Sequence, residues 1–198
     1  MITICLLRHG ETAYNAEGNK YCGRTDIPLT EKGLSQAKRM NELLKDYSFD
    51  QIFCSPLQRA KNTAEIASGR PDAVQVDERL IEVDFGQWEG KRSEDFIAED
   101  PNSWYNWLSD PASFEAGRTG ENASQVINRL DSFYSELIEK YDGQTILVVG
   151  HNGVNRLFMA QQLGMPLKYY RRIVQENSAL TMITLDKHSG FNLLKLNA

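Results

Sequence analysis

The chain has 198 residues, a size that fits one domain with a core large enough to be stable unaided. Its 41% apolar and 25% charged residues are ordinary for a globular protein, and no apolar run approaches the ~20 residues that span a bilayer. A net charge of -5 offers no general attraction for nucleic acid or anionic membrane.

Taken in chain order, Met1-Ile2-Thr3 passes directly into a strand-like run at 2–7, without a charged-then-apolar leader. Ile4-Cys5-Leu6-Leu7 then breaks at once into Arg8-His9-Gly10, a buried strand ending in a polar turn. In open α/β sheets such a turn is where ligands bind. Thr30 is a plausible N-cap for a helix carrying Leu34, Ala37, Met40, Leu43 and Leu44 at helical spacing. A second strand is predicted at 51–54, and Ser55-Pro56 reads as an N-cap with proline at the first helical position, placing Arg59 in the first turn. A third strand is expected at 73–77.

Residues 85–121 break this rhythm. They hold Trp88, Trp104 and Trp107 with Phe96, Tyr105 and Phe114, plus Pro101 and Pro111. Two readings stand: an irregular insertion whose aromatics pack on the core, or a lid over the strand ends. Beyond it, Val126, Leu130, Phe133, Leu137 and Tyr141 mark one face of a long helix. The run at 144–149 repeats the opening pattern, because Ile146-Leu147-Val148-Val149 ends in Gly150-His151-Asn152-Gly153. Two of the three histidines thus occupy matching strand-to-loop positions; His188 lies in a turn and is expected to be exposed and inert. Strands at 179–185 and 191–196 flank the turn-rich Asp186-Lys187-His188-Ser189-Gly190 and suggest an antiparallel edge hairpin. Strands alternating with helices predict a three-layer α/β/α sandwich on a mostly parallel sheet, as a single domain over 1–198.

The segment Leu7-Arg8-His9-Gly10-Glu11-Thr12-Ala13-Tyr14-Asn15 resembles the signature of the histidine phosphatase superfamily, the phosphoglycerate mutase-like proteins. Four further stretches are similar to that family's motifs in the expected order: Gly23 to Gly33, Ser55 to Ala64, Leu80 to Gly90, and Val148 to Gly153. The resemblance implies a phosphoglycerate mutase-like fold, with the variable substrate-facing insertion at about 85–121. It also implies that His9 becomes a phosphohistidine and that Arg8 and Arg59 donate paired hydrogen bonds to phosphate. His151 would be a second cationic or hydrogen-bonding partner. Asn15 matches a phosphate-binding asparagine, Thr12 assists, and Gly23 and Asn152 join the substrate-binding set.

For the general acid, Glu82 has apolar neighbours Leu80, Ile81 and Val83 that would raise its pKa. Asp84 and Glu89 are rivals by residue type, and the resemblance favours Glu82. Arg70 and Arg79 read as solvated cations. Two histidines with carboxylates are a zinc-like set, but no pair has ligand spacing and Arg8 beside His9 repels a divalent cation, so neither metal nor other cofactor is expected. No Gly-rich nucleotide fingerprint is present around Gly10 or Gly23.

The chain departs from the family pattern at Asn155, where an apolar residue is usual, and at Cys22, where mutases usually have threonine. The expected function is therefore a metal-independent phosphomonoesterase acting on a small phosphate ester, with α-ribazole 5'-phosphate or a sugar phosphate as leading candidates. A phosphoglycerate mutase is the runner-up, and a non-catalytic phospho-ligand binding protein the third reading. The three cysteines, Cys5, Cys22 and Cys54, show no metal-like or redox spacing, which points to a reducing, cytoplasmic setting. Monomer and homodimer remain open.

Overall fold

The computed structural model describes residues 1–198. Six strands form one sheet: β1 (Ile2–Arg8), β2 (Gln51–Cys54), β3 (Val74–Val76), β4 (Thr145–Gly150), β5 (Leu180–Asp186) and β6 (Gly190–Lys195), in the order β3-β2-β4-β1-β5-β6. β1 to β4 pair in parallel, while β5 runs antiparallel to β1 and to β6. The expected hairpin lies at the sheet edge, and the one reversed strand, β5, sits one position in from it.

The central strands β1 and β4 are apolar almost without break because both of their faces are covered. Alternation divides their side chains between two cores: Ile4, Leu6, Ile146 and Val148 face one, and Cys5, Leu7, Leu147 and Val149 the other. Seven helices complete the layers: α1 (Ala13–Ala16), α2 (Glu31–Leu44), α3 (Gln58–Ser68), α4 (Ser93–Glu99), α5 (Pro101–Ser109), α6 (Ala123–Lys140) and α7 (Asn152–Gln162). α2 and α3 supply the smaller core, α6 and α7 the larger. The predicted cap of α2 is present, since the Thr30 hydroxyl accepts from the Gly33 N–H at 3.0 Å.

The predicted start of α3 needs correction. The helix begins at Gln58, with Leu57 at the N-cap and no side-chain cap, so Pro56 lies before the first turn. Ser55 Oγ is engaged instead by His151 Nε2 at 2.6 Å and the Leu57 N–H at 3.3 Å. The exposed Gln58 N–H is met by Asp26 Oδ1 at 2.8 Å, a cap from a distant loop.

The insertion at 85–121 is not irregular, since it contains α4 and α5. Its Trp88, Phe96 and Trp107 are buried and join the core that holds β1 and α6, whereas Tyr105 and Phe114 are exposed. Tyr21 meets this cluster edge-on, with ring centroids 4.9 Å from both Phe85 and Phe96. Core packing is thus the role of most of these aromatics. No helix is long and apolar enough to cross a membrane.

Candidate active site

Parallel pairing of β1 with β4 sets Arg8 opposite Gly150, and the ladder runs one step further as the His9 N–H donates to the Gly150 carbonyl at 3.1 Å. His9 and His151, remote in sequence, therefore leave neighbouring strand ends together, with ring centroids 5.1 Å apart. β2 ends beside them, where the Ser55 N–H donates to the Val149 carbonyl at 3.1 Å. These three strand ends lie at the carboxyl edge of the sheet, the general ligand position of open α/β folds.

His9 is buried, and its Nδ1 lies 2.7 Å from the Gly10 carbonyl oxygen. A carbonyl only accepts, so Nδ1 carries the proton and Nε2 keeps a free lone pair. Burial, then the charges of Arg59 and Arg8, hold the His9 pKa well below the usual imidazole range. Burial, Arg59 and His9 do the same to His151. Of the two roles the sequence leaves open for His151, the electrostatics support the neutral hydrogen-bonding group over the cation. Its Nδ1 is buried without a protein partner, while Nε2 meets Ser55.

Arg59 is fully buried and reaches the loop before α2: Nη1 donates to the Thr25 carbonyl at 2.8 Å and Nη2 to the Gly23 carbonyl at 2.6 Å. Arg8 Nη1 donates to the Gln175 carbonyl at 3.0 Å. Neither guanidinium has an acidic partner, and in both Nε is buried and unpartnered.

Glu82 separates clearly from its rivals. It is buried, and its carboxylate accepts from three backbone N–H groups: Val83 at 2.9 Å, and Gly153 and Val154 at 3.0 Å each, the last two at the N-terminus of α7. Burial raises its pKa, and these hydrogen bonds pull the other way without cancelling it. Asp84 instead lies at the surface, 3.7 Å from Arg24. Glu89 Oε1 binds the N–H groups of Gly23 and Thr25 at 2.8 and 3.1 Å. Both rivals hold loops.

A cavity of about 420 Å³ opens at this edge, lined by Arg8, His9, Asn15, Glu82 and Asn152 among others. Asn15 Oδ1 accepts from the Thr12 N–H and hydroxyl, both at 3.1 Å, and from Asn177 Nδ2 at 3.3 Å; its own Nδ2 has no protein acceptor. Thr12 itself is fully buried, orienting Asn15 instead of facing the cavity. Gly23 is also absent from the wall. A Cβ there would lie 2.3 Å from the Val83 carbonyl, so its glycine is a packing requirement, and the neighbouring Cys22 lines the cavity. Arg59 and His151 lie fully buried behind the wall.

Several residues here lie outside the site predicted above. Arg156, Arg171, Tyr21 and Tyr170 line the cavity. Only Arg156 had a usable sequence cue, because it falls four residues after Asn152 on the same face of α7. The departure at Asn155 also finds its reason. Its buried Nδ2 donates to the Leu7 carbonyl at 3.2 Å and to Gln175 Oε1 at 3.0 Å, and Gln175 Nε2 continues to Thr181 Oγ1 at 3.2 Å. The same Gln175 supplies the carbonyl that holds Arg8. A polar side chain at position 155 thus ties α7 to the strand end that presents Arg8 and His9.

Comparison with known proteins gives the family and the fold. The family profile of the histidine phosphatase superfamily (branch 1) matches residues 4–198. The adenosylcobalamin/alpha-ribazole phosphatase of Salmonella typhimurium is 38% identical over 194 residues, covering 98% of this chain and 94% of that protein. Phosphoserine phosphatase 1 of Hydrogenobacter thermophilus is 32% identical, covering 100% of this chain and 92% of that one. Among solved structures, a phosphoserine phosphatase from Entamoeba histolytica in complex with 3-phosphoglyceric acid superposes with a TM-score of 0.89 at 29% identity, covering 100% of this chain and 98% of its own.

Proposed function

Because this chain belongs to the histidine phosphatase superfamily (branch 1) and is a phosphatase of that family, we propose that it hydrolyses small phosphate monoesters through a phosphohistidine on His9, without a metal. The observation that carries this reading is the tautomer of His9: Nδ1–H is committed to Gly10, so the nucleophilic lone pair is on Nε2. Nε2 attacks phosphorus as the ester oxygen departs, and the protonated Glu82 delivers its proton to that oxygen. Glu82, now a carboxylate, takes a proton from water as the water oxygen attacks phosphorus and the P–N bond breaks. Inorganic phosphate leaves, and both groups return to their starting states.

Arg8 and Asn15 Nδ2 take equatorial oxygens from the wall. The remaining N–H groups of Arg59 and His151 Nδ1, covered by that wall, complete the set as the phosphate seats against them, the positioning and charge stabilisation on which phosphoryl transfer depends. Asn152 completes the wall. The full burial of Arg59 and the partial burial of Arg8, neither with an acidic partner, support an anion between them. We read residues 1–198 as one domain acting as a unit, with 85–121 walling the cavity through Phe85, and we place it in a reducing compartment, in keeping with three free cysteines. By the names of its relatives, α-ribazole 5'-phosphate and phosphoserine are the first esters to try.

The test is acid- and alkali-quenched trapping with substrate, alongside phosphate release from an ester panel in chelator. Acid-labile, alkali-stable phosphate on the wild type and its loss in His9→Ala are expected, with turnover intact in EDTA. Labelling that persists in His9→Ala, or turnover that requires a divalent ion, would overturn the mechanism.

A further inference from the structure

The proposed chemistry does not use every cation in the cavity. Its wall carries Arg8, Lys20, Arg156 and Arg171, against one carboxylate, Glu82. Lys20 is answered by Glu17 at 2.7 Å, but none of the three arginines has an acidic partner. This happens in a chain with 27 acidic and 22 basic residues, where acids are in surplus. A phosphate held by Arg8 and Arg59 leaves Arg156 and Arg171 unanswered.

Both are built into place. Arg156 is largely desolvated; Nε donates to the Tyr170 carbonyl at 3.3 Å, and its terminal nitrogens have no protein acceptor. It feels the charges of both Arg8 and Arg171, and of Glu82 in the opposite sense, and all of them line the same cavity. Arg171 is exposed, yet it is clamped by two segments remote in sequence. Nη1 donates to the Tyr21 hydroxyl at 2.7 Å, and the guanidinium lies 4.8 Å from the ring centroid of Trp104 on α5. An exposed arginine normally loses side-chain entropy on binding; here that freedom is already removed and one edge of the planar fork is left open.

We propose that Arg156 and Arg171 form a second anion subsite, and that the preferred substrate is a phosphate ester whose alcohol portion carries its own negative group, a carboxylate or a second phosphate. This rests on the phosphatase reading above and narrows it: an ester with an uncharged alcohol leaves two organised cations without a partner.

The test pairs esters of matched skeleton. Wild-type kcat/KM is measured on 3-phosphoglycerate against glycerol 3-phosphate, and on fructose 1,6-bisphosphate against fructose 6-phosphate. The expected preference for the doubly anionic member is about 10- to 100-fold, the worth of a hydrogen bond to a charged group. A preference confined to the first pair identifies a carboxylate, one confined to the second a phosphate, and either supports the subsite. Arg171→Gln should collapse that ratio toward unity, chiefly through KM, with Arg171→Lys retaining part of it. Equal rates within both pairs for the wild type, or a ratio unaltered in Arg171→Gln, would overturn the proposal. Absence of turnover on every ester, including p-nitrophenyl phosphate, would overturn the phosphatase reading instead. The subsite would then be judged by calorimetric titration of 3-phosphoglycerate against glycerol 3-phosphate, where equal affinity refutes it.

Discussion

At the scale of single residues, burial sets the protonation states in the directions this chemistry needs. Burial lifts Glu82 above the ordinary carboxyl value of 4.5, so its acid form persists to higher pH and is lost only as pH rises through the raised pKa. His9 is held well below 6.5, so its neutral form survives as pH falls past that value. Turnover of an alkyl phosphate should accordingly be greatest on the acidic side of neutrality and decline with rising pH. Glu82→Gln should remove that decline and cost about 10² in kcat on the alkyl ester, but far less on p-nitrophenyl phosphate, whose leaving group needs little protonation. Asp84→Asn and Glu89→Gln should show no such leaving-group dependence, because both side chains brace loops. Dependence that follows Asp84 would move the acid to that residue.

At the scale of elements, the N-terminus of α7 holds the carboxylate proposed as the acid. Two of its free N–H groups end on the Glu82 carboxylate, where the helix dipole also favours negative charge. Gly153 permits this approach, since a Cβ there would lie 2.7 Å from Oε1 and 3.0 Å from Val83 Cγ2. Gly153→Ala should therefore push Glu82 out of line and lower kcat on alkyl phosphates by about 10². Full activity in that variant, at an unchanged unfolding midpoint, would mean that α7 does not position Glu82. The same dependence of elements on one another explains α3: its expected cap, Ser55, is held by His151, and Asp26 from another loop caps it instead.

For the molecule as a whole, the charge is divided unevenly. A chain of net charge -5 concentrates unpaired arginines at one edge of its sheet, and burying them there is unfavourable until an anion arrives. Binding should therefore stabilise the fold. At 100 times its Kd, inorganic phosphate would add about 2.7 kcal/mol, which for a domain of this size is roughly 5–10 °C in Tm. Calorimetric scans with phosphate against chloride at matched ionic strength measure this directly. An equal Tm in both salts would count against an anion site of the proposed kind.

The sequence alone determined the local features: continuous apolar runs for strands buried on both faces, the polar turns that end β1 and β4, and a histidine at each turn. Those are properties of neighbouring residues, and alternation and periodicity report them directly. It also carried the family, through five motifs in order. Tertiary structure decided what depends on neighbours in space. Placing β4 beside β1 brings His9 to His151, and burial at the start of α7 distinguishes Glu82 from Asp84, two positions away. Short helices such as α4 and α5 span too few turns to show a period. The polar link through Asn155 and Gln175, and the clamp of Tyr21 and Trp104 on Arg171, join segments that no spacing relates. Their contacts are fixed by how the layers pack, so only the folded chain brings Arg156 and Arg171 to one cavity wall.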